Sequence, residues 1–111
     1  MTKWFPTWER VSVRVISRSM LTEFAASHPD AAIPLDNWYR RARRASWRNL
    51  DETRIDYPHA DPVGTCTVFN IAGNKYRLIV KINYRRQAVY TRFVLTHAEY
   101  DKEKWKHDCG C

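Results

Sequence analysis

Residues 75–84 alternate largely between apolar and polar side chains, a pattern that few structures can accommodate. Successive side chains of a β-strand point to opposite faces, so the stretch predicts a strand with one face against a core. The apolar set is Tyr76, Leu78, Val80, Ile82 and Tyr84. The other set places Lys75, Arg77 and Lys81 on an open face. Alternate residues lie about 7 Å apart, roughly the spacing of phosphates along one nucleic-acid strand.

The rest of the chain supplies helices and further strands. Valines alternate over residues 11–16, and apolar residues recur at helical spacing near residues 20–25 and 31–45. Two more alternating stretches, residues 68–71 and 88–96, lie on either side of the central strand. The order strand, helix, helix, short helix and three strands predicts an α+β domain with its helices on one face of an antiparallel sheet.

The neighbouring strands add polar groups to the open face. Phe69 and Ile71 are the natural core positions of their strand, so Asn70 turns to the open face beside Arg77. In the last strand the alternation does not clearly show which set of side chains faces the core. We place Arg92 on the open face because burying an unpaired guanidinium is costly. The alternative is an ordinary solvated sheet face, although three cations without interleaved acids would be unusual.

Composition limits the classes of protein to which the chain can belong. Its 111 residues suffice for one domain, and 19 Lys and Arg against 12 Asp and Glu give a net charge of +7. This charge favours phosphates or an acidic partner protein without choosing between them. No apolar stretch approaches the roughly 20 residues of a spanning helix, and no signal-peptide core is visible. We therefore expect a cytoplasmic protein without membrane contact.

The cysteines carry a weak signal. Cys66, Cys109 and Cys111 are too few and too unevenly placed for a disulfide framework, which favours a reducing compartment. His107 lies near the last two and can begin a metal site, but a second pair of ligands is missing from the pattern. We expect no metal and a frayed C-terminal end, with zinc binding there as the alternative.

Groups able to move protons follow the last predicted strand. Residues 96–101 contain His97, Tyr100 and two carboxylates. Histidine transfers protons near neutral pH, and a nearby arginine stabilises the charge of a phosphorane. These groups suffice for metal-free RNA cleavage, in which the 2′-hydroxyl attacks its neighbouring phosphate. Two structural alternatives remain open: His97 can cap or hydrogen-bond the strand end, and Tyr100 can pack its ring against the sheet.

From Val13 onward the chain resembles the HigB family of type II toxins. The matching motifs are Val13-Arg14-Val15-Ile16-Ser17, Trp38-Tyr39, Trp47, Phe69-Asn70-Ile71, Gly73-Asn74-Lys75-Tyr76-Arg77-Leu78 and Thr96-His97-Ala98-Glu99-Tyr100-Asp101. The last of these is the most distinctive. The resemblance predicts an N-terminal extension over residues 1–12, a RelE-like toxin domain over residues 13–102 and a tail over residues 103–111.

The resemblance implies a fold and an activity. The HigB family is similar to RelE, in which two helices pack on a curved antiparallel sheet whose concave face receives RNA. It implies an endoribonuclease that cleaves mRNA without a cofactor, usually in the A site of the 30S ribosomal subunit, and a HigA-like helix-turn-helix antitoxin as partner. The alternative function is a non-catalytic basic module that binds RNA or protein, with strongly salt-dependent affinity.

The resemblance also implies roles for individual residues. Arg77 matches the strand motif of RelE and takes a phosphate-stabilising role. RelE places lysines on the preceding strand, where this chain has Val68 and Asn70, so proton transfer must be arranged differently. His97 becomes the leading acid/base candidate with Tyr100 as its helper. The implied RNA contacts are Asn70, Lys75, Lys81 and Arg92.

Overall fold

A computed structural model describes residues 12–111, so the predicted extension lies almost wholly outside the described residues. Two short 3₁₀ helices, Pro29–Ala31 and Lys104–Cys109, accompany the helices and strands. The α-helices and strands are β1 Arg14–Ile16, α1 Ser19–Ser27, α2 Ala32–Arg44, α3 Leu50–Asp56, β2 Asp61–Val63, β3 Cys66–Ile71, β4 Tyr76–Asn83, β5 Ala88–Thr96 and α4 His97–Asp101. Within this range no helix has the length and apolar character needed to cross a membrane.

The strands form one five-stranded sheet in the order β1-β5-β4-β3-β2. The predicted α+β class is confirmed, and the three strands from β3 to β5 pair antiparallel as expected. β1 runs parallel to β5, so the sheet is mixed. The edge strand β2 was not predicted, because its three residues contain Pro62 and show no alternation. A proline is tolerated there because an edge strand can do without one ladder hydrogen bond.

One face of the sheet packs against α1 and α2. The apolar parity of β4 is confirmed, since Tyr76, Leu78 and Val80 are buried in one core with side chains of the helices. From α2 this core takes the predicted helical stripe of Leu35, Trp38 and Ala42. The periodicities of the sequence therefore identify the main core correctly.

The opposite face is not wholly open, and here the sequence-based prediction is wrong. Its central residue Ile79 is 0% exposed, within a second apolar cluster that contains Val68 and Trp105. Cys66 and Cys109 belong to the same cluster and form a disulfide, a pairing that the number and spacing of the cysteines did not predict. The C-terminal end is therefore packed on the sheet and not frayed. No periodic pattern in the sequence predicted this packing, because a short 3₁₀ helix offers few apolar positions.

Candidate active site

A cavity of about 370 Å³ lies on the sheet face opposite the main core. It is lined by Asn70 of β3, Arg77 of β4 and Tyr100 of α4, together with Arg54 and residues 58–61. Its volume falls within the range of about 300–1,000 Å³ that is usual for ligand pockets. The fold thus brings together three of the residues that the sequence predicted for one site.

Arg77 is fixed at the edge of this cavity. Its side chain faces away from the helices, as predicted, but the residue is only 9% exposed. One Nη donates to the carbonyl oxygens of Asn74 (3.0 Å) and Tyr76 (3.2 Å), and the other donates to Oδ1 of Asn74 (2.6 Å). The guanidinium carbon also lies 5.1 Å from the centroid of the Tyr100 ring, a cation–π geometry. A guanidinium has five N–H donors, so donors remain for a phosphate.

The other wall is formed by α3 and the loop between α3 and β2, which carry two cavity residues that sequence reasoning missed, Arg54 and His59. Arg54 Nε donates to the Ala60 carbonyl (2.9 Å), and the Tyr57 hydroxyl donates to the Trp38 carbonyl (2.8 Å). Burial raises the pKa of Tyr57, which keeps this hydroxyl protonated as a donor. The loop is thereby held at both ends, and it presents His59 to the cavity. The available signal was a histidine between two prolines, since prolines restrict a loop.

His97 begins α4 and does not line the cavity. The cap of this helix is Thr96, whose Oγ1 accepts from the Glu99 backbone (3.2 Å) while the Glu99 carboxylate accepts from the Thr96 backbone (2.9 Å). The His97 N–H donates to the Lys75 carbonyl (3.2 Å), and its Nδ1 lies 3.0 Å from Oδ2 of Asp101. The catalytic role of His97 stays a prediction.

The predicted RNA-contacting cations are engaged with carboxylates. Lys75 precedes β4 and pairs with Asp30, which also accepts from the core-facing Tyr76, so the predicted place of Lys75 on the open strand face beside Arg77 is wrong. The hydrogen bond between Lys75 and Asp30 raises the pKa of Lys75 and lowers that of Asp30. Arg92 lies 2.7 Å from the Asp108 carboxylate and Lys81 lies 3.9 Å from it. The Arg92 hydrogen bond lowers the pKa of Asp108. Exposed pairs of this kind contribute little to stability, so a phosphate can take the place of the carboxylate.

A second cationic cavity lies on the helical layer. It measures about 470 Å³ and is lined by Arg18, Arg40, Arg43, Arg44, Tyr39 and Asp36. The Arg18 guanidinium lies 4.3 Å from the centroid of the Tyr39 ring. A helical period alone indicates only a solvated helix face for the arginines of α2. It cannot show that Arg18, which precedes α1, completes a cavity beside them.

The cysteine-rich end does not form the metal site of the zinc alternative. Cys109 is tied to Cys66, so its sulfur is not a thiolate ligand. Across residues 12–111, no three His, Cys, Asp or Glu side chains are grouped as metal ligands would be.

An α+β fold with helices on one face of its sheet and a cationic cavity on the other is what we expect of a RelE-like toxin. The HigB toxin family, described as the RelE-like toxic component of a toxin-antitoxin system, matches residues 31–103. The chain belongs to this family, and the resemblance found in the sequence is confirmed.

Named relatives agree with this assignment. The mRNA interferase HigB of Escherichia coli O6:H1 is 28% identical over 93 residues, which cover 81% of this chain and 90% of that protein. The mRNA interferase toxin HigB of Escherichia coli K12 is 24% identical over 92 residues, covering 80% and 88% of the two chains. The mRNA interferase HigB of Shigella flexneri matches to the same extent, 24% over 92 residues.

Proposed function

We propose that this toxin is a metal-independent endoribonuclease that cleaves mRNA. Its relatives are named mRNA interferases, which supports the cleavage of mRNA. The observation that supports this is the cavity in which Asn70, Arg77 and Tyr100 meet Arg54 and His59. It combines two guanidinium groups, which bind phosphate, with a histidine, which transfers protons near neutral pH.

The proposed reaction is an attack of the 2′-hydroxyl on the adjacent phosphorus. A base takes the hydroxyl proton as the new P–O bond forms, and an acid protonates the 5′-oxygen as its bond to phosphorus breaks. The products are a 2′,3′-cyclic phosphate and a 5′-hydroxyl. Arg77 stabilises the charge that develops on the phosphorane oxygens. His59 is the first acid/base candidate because it lines the cavity; His97 is the second, with Tyr100 as helper.

The RNA chain would extend from the cavity along the sheet. Asn70 contacts the reacting nucleotide, and the phosphates on either side replace carboxylates as partners of Lys75, Lys81 and Arg92.

We further propose that cleavage occurs in the A site of the 30S subunit, in the cytoplasm, and that a HigA-like helix-turn-helix antitoxin holds the toxin inactive. Residues 13–102 form the toxin domain in this proposal, with residues 1–12 and 103–111 as additions to it.

Brief expression followed by primer extension on cellular mRNA tests the proposal, since it reports cleavage and its position relative to codons. Arg77→Ala is expected to lower cleavage by about 100-fold or more, as the loss of a transition-state donor does. His59→Ala and His97→Ala are compared directly. The acid/base residue is the one whose substitution lowers cleavage by about 100-fold or more. His107→Ala, an exposed histidine outside the cavity, is the matched control.

Two outcomes contradict parts of the proposal. If Arg77→Ala and both histidine variants arrest growth like the parent, the site is wrong. If the parent binds RNA in a strongly salt-dependent manner but yields no cleaved product, the chain is the non-catalytic module. Metal independence is tested with toxin that is treated with a chelator, repurified and added to 30S subunits carrying the message. A loss of cleavage that added metal restores would refute it.

A further inference from the structure

The C-terminal segment, defined as residues 104–111, reaches the candidate active site through two aromatic rings. Trp105 is 4% exposed, and its ring stacks on that of Tyr100 with centroids 4.9 Å apart and planes at 14°. The Tyr100 ring also lies against Arg77, whose guanidinium carbon is 5.1 Å from the Tyr100 centroid. Arg77 and Tyr100 line the cavity, whereas Trp105 does not.

Trp105 holds both the ring and the backbone of Tyr100. Besides the stacking, its Nε1 donates to the Tyr100 carbonyl oxygen (2.9 Å). α4, which carries Tyr100, has only five residues, and so short a helix has no stability of its own. The orientation of Tyr100 over Arg77 therefore depends on tertiary contacts, of which the stacked Trp105 ring is a large and rigid one.

The position of Trp105 is in turn fixed by the end of the segment. Cys109 is 0% exposed and joined by a disulfide to Cys66, 43 residues earlier in the chain. The Thr65 N–H donates to the Cys109 carbonyl (2.8 Å), and a Cβ at Gly64 would collide with that carbonyl oxygen. The β2–β3 turn and the segment thus fit together closely at the point where the disulfide crosses between them.

We propose that Trp105 is a positioning residue that holds Tyr100 over Arg77, and that the Cys66–Cys109 disulfide fixes Trp105, so that the turnover of the toxin depends on the redox state of this cysteine pair. The inference rests on the proposed nuclease function. Catalytic groups displaced by about 1 Å can lose 100-fold in rate, so a loosened stack lowers turnover even though Trp105 touches no substrate.

Substitution of Trp105 tests the positioning role with purified full-length protein and an mRNA that the parent cleaves in the A site of the 30S subunit. Trp105→Leu removes the ring and the indole donor, and we expect kcat to fall by about 10-fold or more with KM within about 3-fold. Trp105→Phe keeps a stacking ring and is expected to retain most of the turnover. In a Tyr100→Leu background, Trp105→Leu should lower kcat no further, since it acts through Tyr100.

Reduction tests the role of the disulfide. In a Cys111→Ser background, which prevents exchange with the third cysteine, dithiothreitol delivers two electrons and two protons to the disulfide. Two thiols form, and the reagent closes into its own cyclic disulfide. We expect the same fall in kcat as for Trp105→Leu. The double variant Cys66→Ala, Cys109→Ala should show this loss already and should not respond to the reagent.

Hydrogen exchange of residues 97–101 gives a readout that does not depend on cleavage. Exchange is expected to accelerate on reduction and in Trp105→Leu. Unchanged exchange in both cases, or parental kcat in a folded Trp105→Leu variant, overturns the inference. If Trp105→Leu does not fold, the kcat and hydrogen exchange of the reduced parent test the inference in its place. If the parent cleaves no RNA even with 30S subunits present, the proposed function and the catalytic consequence fail together, while exchange still decides whether Trp105 positions Tyr100.

Discussion

Two buried tryptophans, Trp38 and Trp47, differ in whether their indole nitrogen has a hydrogen-bond partner. Trp47 Nε1 donates to Asp56 Oδ2 (2.8 Å), whereas Trp38 Nε1 is buried and has no partner among the described residues. An unpaired buried donor carries a desolvation cost that a phenyl ring does not. The same substitution should therefore have different consequences at the two positions.

We expect Trp47→Phe to lower the free energy of unfolding by about 1 kcal/mol more than Trp38→Phe, because only the first change breaks a hydrogen bond. Both variants lose the same atoms, so each serves as the other's control for the lost volume. Urea unfolding followed by circular dichroism measures the difference. An equal cost at both positions, or a larger cost at Trp38, would contradict the prediction.

At the scale of elements, the C-terminal segment is held electrostatically as well as covalently. Asp108 accepts two hydrogen bonds from Arg92, at 2.7 and 2.8 Å, and these lower its pKa. A carboxylate whose pKa is lower in the folded state stabilises that state above its unfolded pKa. This contribution is lost as the pH falls through the folded pKa.

We therefore expect the segment to loosen selectively as the pH falls from about 4, the ordinary pKa of an aspartate, through the lower pKa of Asp108. Hydrogen exchange of residues 104–111, corrected for the intrinsic rate at each pH, measures the effect. Asp108→Asn should abolish the acid response, because it has no charge to lose. Asp30→Asn, which removes a carboxylate whose pKa is also lowered but which lies elsewhere, should leave the response intact. An Asp108→Asn variant that still loosens in acid would disprove this.

At the scale of the whole molecule, which carries a net charge of +7, cations cluster on two separate surfaces of the described residues. One is the sheet face with Arg77, Lys81 and Arg92, and the other is the arginine cavity on the helical layer. Charge alone cannot say which surface binds RNA, since both attract phosphates. The salt dependence of binding separates them, because each phosphate contact contributes to its slope.

Lys81→Gln and Arg92→Gln are each expected to reduce the slope of log affinity against log salt concentration by about 1. Fluorescence anisotropy with a labelled RNA oligonucleotide, titrated at several salt concentrations, measures this slope. The triple variant Arg40→Gln, Arg43→Gln, Arg44→Gln is the comparison. If only the triple variant changes the slope, RNA binds the helical layer, and the proposed path of the RNA along the sheet is wrong.

The sequence by itself determined the α+β class, the helical stripe of α2 and the inward parity of β4, because period and polarity act within one element and need no partner. It also identified the family, because ordered motifs survive in the chain. Arg77 facing away from the helices follows from the same alternation.

Only the tertiary structure decided what covers the sheet face on which Arg77 lies and which residues surround Arg77. His59 comes from a loop without periodicity and Arg54 from the seven-residue helix α3. Trp105 comes from a 3₁₀ helix too short to show an apolar stripe. Cys66 and Cys109 meet across 43 residues, which no local pattern encodes. The physical reason is the same in each case: contacts between distant segments depend on how the elements pack, and the sequence displays only the preferences of each element alone.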